Sequence, residues 1–168
     1  MKTFSTIALV VLTIVAVVYI IYNNNEPKFT ADIDGGLFKA DRVGAHYTSG
    51  RLNITAVHAV TDTPRVAINV KAAKIGTYLL NDDNPETGNL AVYFVRKTVF
   101  ASTSRFTGTI TFTELDMEKM EVSGTFAFQA VQVYPQASTL VSITDGVFKN
   151  IPIRQSENTP THKSNSQQ

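Results

Sequence analysis

A stretch of strictly alternating residues, 106–133 (FTGTITFTELDMEKMEVSGTFAFQAVQV), constrains the fold more than any other part of this chain. In its first half, threonine fills every second position from Thr107 to Thr113. In its second half, apolar residues or glycine fill every second position from Met120 to Ala130. Side chains on a strand point to opposite faces in turn, so each half has one apolar and one polar face. With the polar residues 114–119 as the connection, the stretch predicts an antiparallel hairpin that is solvated on one side and buried on the other.

Other strands must cover the phenylalanines of this hairpin, because a lone hairpin is only marginally stable in water. Alternating or apolar segments separated by turn signals predict such strands at 28–33, 37–40, 51–60, 66–72, 76–80, 90–96, 139–144 and 147–153. Asp34-Gly35 and Asp145-Gly146 are expected to form turns, whereas 41–50 and 97–105 are too irregular to assign. About nine or ten short strands without a helix are typical of an all-β domain, and we expect an antiparallel β-sandwich. A lipocalin-like β-barrel is the alternative, since periodicity does not separate the two.

The N-terminal segment reads differently. Residues 4–22 (FSTIALVVLTIVAVVYIIY) are almost wholly apolar, and as a helix they would span about 28 Å, close to the hydrocarbon core of a bilayer. A cleaved signal peptide is the alternative, but no small-residue cleavage site precedes Asn23. We therefore predict a membrane anchor at 1–22, a spacer at 23–27, a β-sandwich domain at 28–154 and a disordered polar tail at 155–168.

Charge and cysteine content indicate where the domain is located and exclude several kinds of chemistry and partner. Lys2 precedes the apolar run, which favours a cytoplasmic N-terminus and a domain that faces the periplasm or cell exterior, or is secreted if the segment is cleaved. The chain has no cysteine, which excludes a disulfide framework, a thiol nucleophile and a lipidated cysteine. Its formal net charge is +1. Nucleic acid is not expected as a partner, because its binding depends mostly on neutralising phosphates.

The most polar loop of the chain is the one candidate for a metal. Asp82, Asp83 and Glu86 place carboxylates within a few residues of each other in the loop 81–88. Calcium prefers such oxygen ligands, so calcium is the only cofactor for which the sequence offers a site. The spacing of an EF-hand is absent, however, and the same residues are good turn formers.

Signals for catalysis are weaker. His46 and His58 have no metal-ligand spacing, and His58 falls on the apolar face of its strand, where a hydrogen-bonded and partly buried histidine is expected. No nucleophile elbow is present. The carboxylates that could serve a glycosidase lie in predicted turns or on solvated faces: Asp32, Asp34, Glu114 and Asp116. An enzyme is therefore the less favoured class.

Aromatic side chains keep a binding role open. Four tyrosines, Tyr47, Tyr78, Tyr93 and Tyr134, could form a platform on which a sugar or a peptide stacks. Half-buried packing at strand edges is the alternative, and the chain has no tryptophan to strengthen the carbohydrate reading.

The order of the short motifs resembles a known family. The motifs are Ile33-Asp34-Gly35, Phe38-Lys39-Ala40, Gly76-Thr77-Tyr78, Gly108-Thr109-Ile110-Thr111, Ser123-Gly124-Thr125-Phe126-Ala127-Phe128 and Thr144-Asp145-Gly146-Val147-Phe148. Together they are similar to a family of small exported β-rich domains of unknown function, common in Bacteroidota-type bacteria and often carried as lipoproteins. The resemblance covers about residues 28–153 and implies fold and location only. This chain lacks the lipidated cysteine, so its anchor would be the N-terminal helix.

These observations favour a non-catalytic domain that binds a ligand or partner, such as an envelope protein or a glycan, or that has a structural role in the cell envelope. A small envelope hydrolase with a site built from loops is the alternative. A surface cluster of histidine and carboxylates would favour the enzyme, whereas an exposed apolar patch or strand edge would favour binding.

Overall fold

The computed structural model describes residues 28–58, 64–71, 74–81 and 88–155. This part of the chain forms strands and connections: β1 (Lys28–Ile33), β2 (Gly36–Lys39), β3 (Arg42–Thr48), β4 (Arg51–Val57), β5 (Arg65–Lys71), β6 (Gly76–Leu80), β7 (Leu90–Val95), β8 (Thr98–Ala101), β9 (Gly108–Asp116), β10 (Glu121–Tyr134) and β11 (Leu140–Gln155). The prediction of an all-β domain is confirmed. The predicted anchor at 1–22, the spacer at 23–27 and all but the first residue of the tail lie outside the described residues. Among those described, there is no helix long and apolar enough to cross a membrane.

The alternating hairpin forms as its sequence predicts. β9 and β10 pair antiparallel, with Thr125 opposite Thr111 and Phe126 opposite Ile110. Phe112 and Phe126 are buried, whereas Thr125 is exposed. The apolar face of the hairpin therefore points into the core and its threonines face solvent.

The C-terminal strand corrects one prediction. Asp145-Gly146 does not form a turn between two strands, because β11 runs without interruption from Leu140 to Gln155. Its register against β10 shifts between Phe126 and Phe128, and Asp145 adopts a φ of 50°. This is a β-bulge, which bends a strand and uses the same positive φ that a turn would require.

Two strands escaped prediction. Residues 42–48 form β3, where Gly44 had suggested an interruption, and residues 98–101 form β8. Ala45 is buried while its neighbours Gly44 and His46 are not, so the alternation is real, but the two residues at its centre, Gly44 and Ala45, are both small. Such a pattern is weak in the sequence because alanine and glycine contribute little apolar contrast.

All of these strands belong to one mixed sheet, in the order β2-β1-β11-β3-β4-β5-β7-β8-β10-β9-β6, and β10 also pairs with β11. The last pairing closes a circuit through β11, β3, β4, β5, β7, β8 and β10. β11 pairs in parallel with β3 at Ile153–Ala45, which departs from the sequential antiparallel order of a lipocalin. The division into two packed sheets that defines a sandwich is not confirmed.

A single apolar cluster fills the interior. Its centre is aromatic: the ring of Phe126 lies 4.9 Å from that of Phe29 and 6.3 Å from that of Phe148. Glycines make room for these rings. A Cβ on Gly124 would lie 2.1 Å from the carbonyl oxygen of Thr111 and 2.5 Å from the Phe148 ring, so only glycine fits there.

Candidate functional site

A small open pocket lies beside the β1–β2 hairpin, and we call it the hairpin pocket. It has a volume of about 240 Å³, and its lining residues are Ile33, Gly36, Leu37, Phe38, Lys39, His58, Pro64 and Tyr93. Leu37 is 81% exposed, whereas Phe38 beside it is buried. Leu37 thus adds an exposed aliphatic side chain to the rim of a pocket that the aromatic rings of Phe38 and Tyr93 also line.

The turn of the hairpin is fixed by its two aspartates. Asp32 Oδ1 accepts a hydrogen bond from the Gly35 backbone nitrogen at 2.6 Å. Asp34 Oδ1 accepts one from the Ser142 nitrogen at 2.8 Å, and the Asp34 nitrogen donates to the Ser142 carbonyl oxygen at 3.0 Å. The turn is thereby attached to β11, and both carboxylates are committed to structure, as their predicted position in a turn suggested.

His58 closes the opposite side of the hairpin pocket. Its Nδ1 lies 2.9 Å from the Lys39 carbonyl oxygen and 3.1 Å from Asp41 Oδ2. Because both partners are acceptors, Nδ1 carries the proton. The side chain follows the end of β4 and is partly exposed, so the prediction of a hydrogen-bonded, partly buried histidine is confirmed. This contact attaches β2 to the β4 end of the sheet.

Tyr93 joins the pocket to the core. Its side chain is 9% exposed, and its ring centroid lies 6.0 Å from that of Phe100. Burial raises the pKa of the Tyr93 phenol above its ordinary value, and the negative charge of Asp34 raises it further. The phenol is therefore a neutral hydroxyl at physiological pH, able to donate a hydrogen bond to a ligand in the pocket.

The remaining predicted site residues do not come together. Asp82, Asp83 and Glu86 lie outside the described residues, so the calcium loop stays a prediction. His46 lies on β3 and His58 beyond the end of β4. Within the described ranges, no group of three or more histidines, aspartates or glutamates is placed to hold a metal ion.

The two other acidic candidates are occupied by local hydrogen bonds. Asp116 Oδ1 accepts from the backbone nitrogens of Lys119 and Glu118 at 2.8 and 2.9 Å. The hydrogen bond from the Lys119 backbone nitrogen is the main reason why the pKa of this carboxyl is lowered. Glu114 Oε2 accepts from the Ser123 hydroxyl at 3.4 Å. Both residues stabilise the β9–β10 hairpin.

The tyrosines do not form one stacking platform. Tyr47, Tyr78, Tyr93 and Tyr134 lie on β3, β6, β7 and β10, and no two of these strands are neighbours in the sheet. Tyr78 accepts from the Lys74 nitrogen and donates to its carbonyl oxygen, and only Tyr134 is largely exposed. The packing alternative is therefore the better description for the other three.

The chain belongs to a family with the description "Domain of unknown function (DUF6252)", whose model matches residues 25–152. This match agrees with the resemblance to an uncharacterised domain family seen in the motifs, and it spans nearly all of the described strands. No curated protein matches the chain, and no solved structure does.

Proposed function

We propose that this member of a family without an assigned activity is a non-catalytic binding domain, held at the outer face of a membrane by residues 1–22. In this proposal the hairpin pocket receives an apolar side chain of a partner in the cell envelope. The observation that carries it is the exposure of Leu37, 81% of which is in contact with water, at the rim of a pocket lined by Phe38 and Tyr93. Covering such a side chain is favourable by roughly 2 kcal/mol.

The form of the pocket supports binding better than catalysis. Its volume of about 240 Å³ suits one side chain of a partner, and it lies below the ~300 Å³ at which sites for whole small molecules begin. Its aromatic and aliphatic lining offers contact area. The neutral phenol of Tyr93 provides one hydrogen-bond donor that could orient the partner.

Photo-crosslinking tests this proposal. A photoreactive phenylalanine analogue at position 37 of the full chain, in cells that naturally make it, should yield a discrete adduct with one envelope protein. The same analogue at position 79 is the matched control, because Leu79 is also an exposed leucine, 57% in contact with water, but lies on β6 at the other end of the sheet. Equal adducts from both positions, or none from position 37, would contradict the proposal.

The location is tested separately. Protease added to intact cells or spheroplasts should degrade the β domain, and removal of residues 1–22 should move the protein from the membrane fraction to the cytoplasm. A full chain that stays protected from external protease, or that leaves the membrane with salt alone, would contradict an anchored domain on the outer face.

The Asp41–His58 contact supports a second candidate, an envelope hydrolase. His58 uses Nδ1 for both of its contacts, so Nε2 is the ring nitrogen that could act as a general base, with Asp41 orienting the ring. None of the described residues that line the hairpin pocket is a serine or a cysteine, and a water molecule would have to be the nucleophile. Hydrolysis of a chromogenic ester that is lost in His58→Gln but kept in Leu37→Ser would favour this candidate over binding.

A further inference from the structure

We propose that the outer face of β3 and β4 contains a second binding site, specific for a phosphorylated sugar. It uses other residues than the hairpin pocket, so it stands or fails independently of the function proposed above. The face contains a depression of about 380 Å³, which we call the strand depression, and its lining residues are Arg42, Val43, Gly44, Ala45, His46, Asn53, Thr55, Val57, Pro152 and Arg154.

Gly44 forms the floor of the strand depression. A Cβ placed on it would have no atom within 4 Å, so the space above its backbone is open. Across the sheet, Gly44 is paired with Thr55 on β4, and on its other side β11 presents Pro152. The missing side chain therefore creates a trough in a surface on which neighbouring positions carry long side chains.

Basic residues stand at both ends of this trough. Arg42 and His46 flank Gly44 two residues away on either side, and side chains two apart on a strand share a face. Arg154 on β11 lies directly beside His46 in the parallel pairing. All three side chains are exposed, and none of the described residues that line the depression is a carboxylate.

The spacing of these basic residues suits an organic anion better than a lone inorganic one. Arg42 and His46 are four residues apart, which corresponds to about 13 Å along a strand. His46 and Arg154, in contrast, are neighbours across one strand pair, at about 4.8 Å. The neighbouring pair provides a subsite for one phosphate group, and Arg42 can reach the far end of the ligand. Guanidinium groups favour phosphate because their fork of donors matches its oxygens.

Polar groups between the cations fit sugar hydroxyls. The Thr55 hydroxyl donates to Asn53 Oδ1 at 3.0 Å, which leaves the Asn53 amide NH₂ as a donor and the Thr55 oxygen as an acceptor. Asn53 is the register partner of His46, so its amide lies next to the phosphate subsite. The volume of about 380 Å³ also falls in the range of small-molecule sites.

The nearest acidic residue by register does not enter this site. Glu121 is paired with Pro152 on β11, but it is not among the described residues that line the depression. The positive character of the trough is local, in a chain whose formal net charge is only +1.

Calorimetric titration of the full chain in detergent tests the site, with glucose 6-phosphate as the probe and glucose as the uncharged comparison. Glucose 6-phosphate should bind and glucose should not. Arg154→Gln and Arg42→Gln should each weaken binding about tenfold or more, because each removes a charge-assisted hydrogen bond. Arg105→Gln, which removes the same charge from an exposed residue that does not line the depression, is the matched control and should leave affinity unchanged.

Filling the trough provides a test that leaves Arg42, His46 and Arg154 unchanged. Gly44→Val should abolish glucose 6-phosphate binding by occupying the floor, while thermal unfolding shows that the variant is folded. A wild-type chain that does not bind glucose 6-phosphate at millimolar concentration would overturn the sugar assignment, and binding that is unaffected by Arg154→Gln and Gly44→Val would overturn the site.

A short-chain phosphatidylglycerol serves as a second probe, since a lipid headgroup carries the same phosphate chemistry. Binding of this lipid, but not of glucose 6-phosphate, that is lost in Arg154→Gln would overturn the sugar assignment and support a phosphate subsite for a headgroup. Binding of glucose 6-phosphate alone, lost in the same variant, would support the proposal in full.

Discussion

Two glycines show how differently the two sides of this sheet are built. Gly124 on β10 is pressed between the Thr111 carbonyl and the Phe148 ring, so that a Cβ would lie 2.1 Å from the nearest atom, whereas a Cβ on Gly44 of β3 would meet nothing within 4 Å. In the wall formed by β9, β10 and β11, the missing side chain lets a ring pack against the backbone. In the strand depression, it leaves space open to solvent. The first use stabilises the fold, and the second leaves room for a ligand.

Of the changes considered, substituting each glycine by alanine should produce the largest difference in unfolding free energy between the two regions. Gly124→Ala forces a methyl group against a backbone carbonyl and a packed ring, and should lower the free energy of unfolding by about 3 kcal/mol. Gly44→Ala is the matched control. It should be neutral or slightly stabilising, because alanine suits a strand better than glycine where space is free. Urea unfolding of the two variants under identical conditions measures both effects.

Similar unfolding free energies for the two alanine variants would contradict the distinction. They would mean that the β10–β11 backbone can separate to admit a methyl group at little cost, and that the wall is not closely packed at Gly124.

Removing one hydroxyl group from each region should also change the unfolding free energy more in the wall than in the strand depression, but by a smaller amount. The Ser123 side chain is buried, and its oxygen accepts a hydrogen bond from the Asn150 backbone nitrogen at 3.0 Å. Ser123→Ala removes the hydroxyl that accepts from this part-buried N–H and should cost about 1–2 kcal/mol. Thr55→Val in the strand depression, which keeps the shape of the side chain and removes a solvent-accessible hydroxyl, should change stability by less than about 0.5 kcal/mol.

Equilibrium unfolding again gives the difference, and hydrogen exchange at Asn150 adds a local measure. Faster exchange of the Asn150 amide in Ser123→Ala, but not in Thr55→Val, is expected. Asn150 lies where the register of β11 against β10 shifts a second time, between Val122 and Gly124. Unchanged exchange in Ser123→Ala would show that this irregularity is held by the strand pairing alone.

Charge removal should have the smallest effect on stability. Arg154→Gln deletes an exposed cation that lies beside His46, and substitutions of exposed charges change the unfolding free energy by less than about 0.5 kcal/mol. A stability loss above about 1 kcal/mol would mean that Arg154 holds the β3–β11 pairing together, and that its role is structural rather than in ligand binding.

Strands could be predicted from the sequence where polar and apolar side chains alternate strongly, and were missed where they do not. The β9–β10 hairpin could be predicted because apolar residues and threonines alternate there. A shift of the pairing by one residue would expose the phenylalanines and bury the threonines, so only one register is favourable. β3 could not be predicted, because its inward position Ala45 and its outward position Gly44 differ too little. The strand depression was missed for the same reason, since it lies on the strand that sequence reasoning left unassigned.

Contacts between residues far apart in the sequence were the other feature that could not be predicted. Asp145-Gly146 has the local chemistry of a turn, but the pairing of β11 with β10 on both sides of it keeps the strand continuous. The hairpin pocket unites residues 33–39, His58 and Tyr93, which no spacing in the sequence connects. The pocket forms only when the fold brings these distant positions together, as it does for Asp41 and His58.

Tyr93 allows a test of the hairpin pocket that leaves stability at neutral pH unchanged. Burial, and then the charge of Asp34, raise the pKa of its phenol above the ordinary value of 10.0. A raised pKa in the folded state stabilises the fold below the unfolded pKa, and this contribution is lost as pH rises through the folded pKa. The unfolding free energy should therefore decline above about pH 10, and less so in Tyr93→Phe.

Asp34→Asn separates the two causes. The amide oxygen can still accept the hydrogen bond from Ser142, and asparagine tolerates the φ of 50° found at this position, so the turn should be retained. Absorbance titration, with Tyr93→Phe subtracted, should then show a lower Tyr93 pKa than in the wild type, still above 10.0 because burial remains. An unchanged pKa would show that the Asp34 carboxylate is screened from the phenol by water, and that the hairpin pocket is more open to solvent than its lining residues indicate.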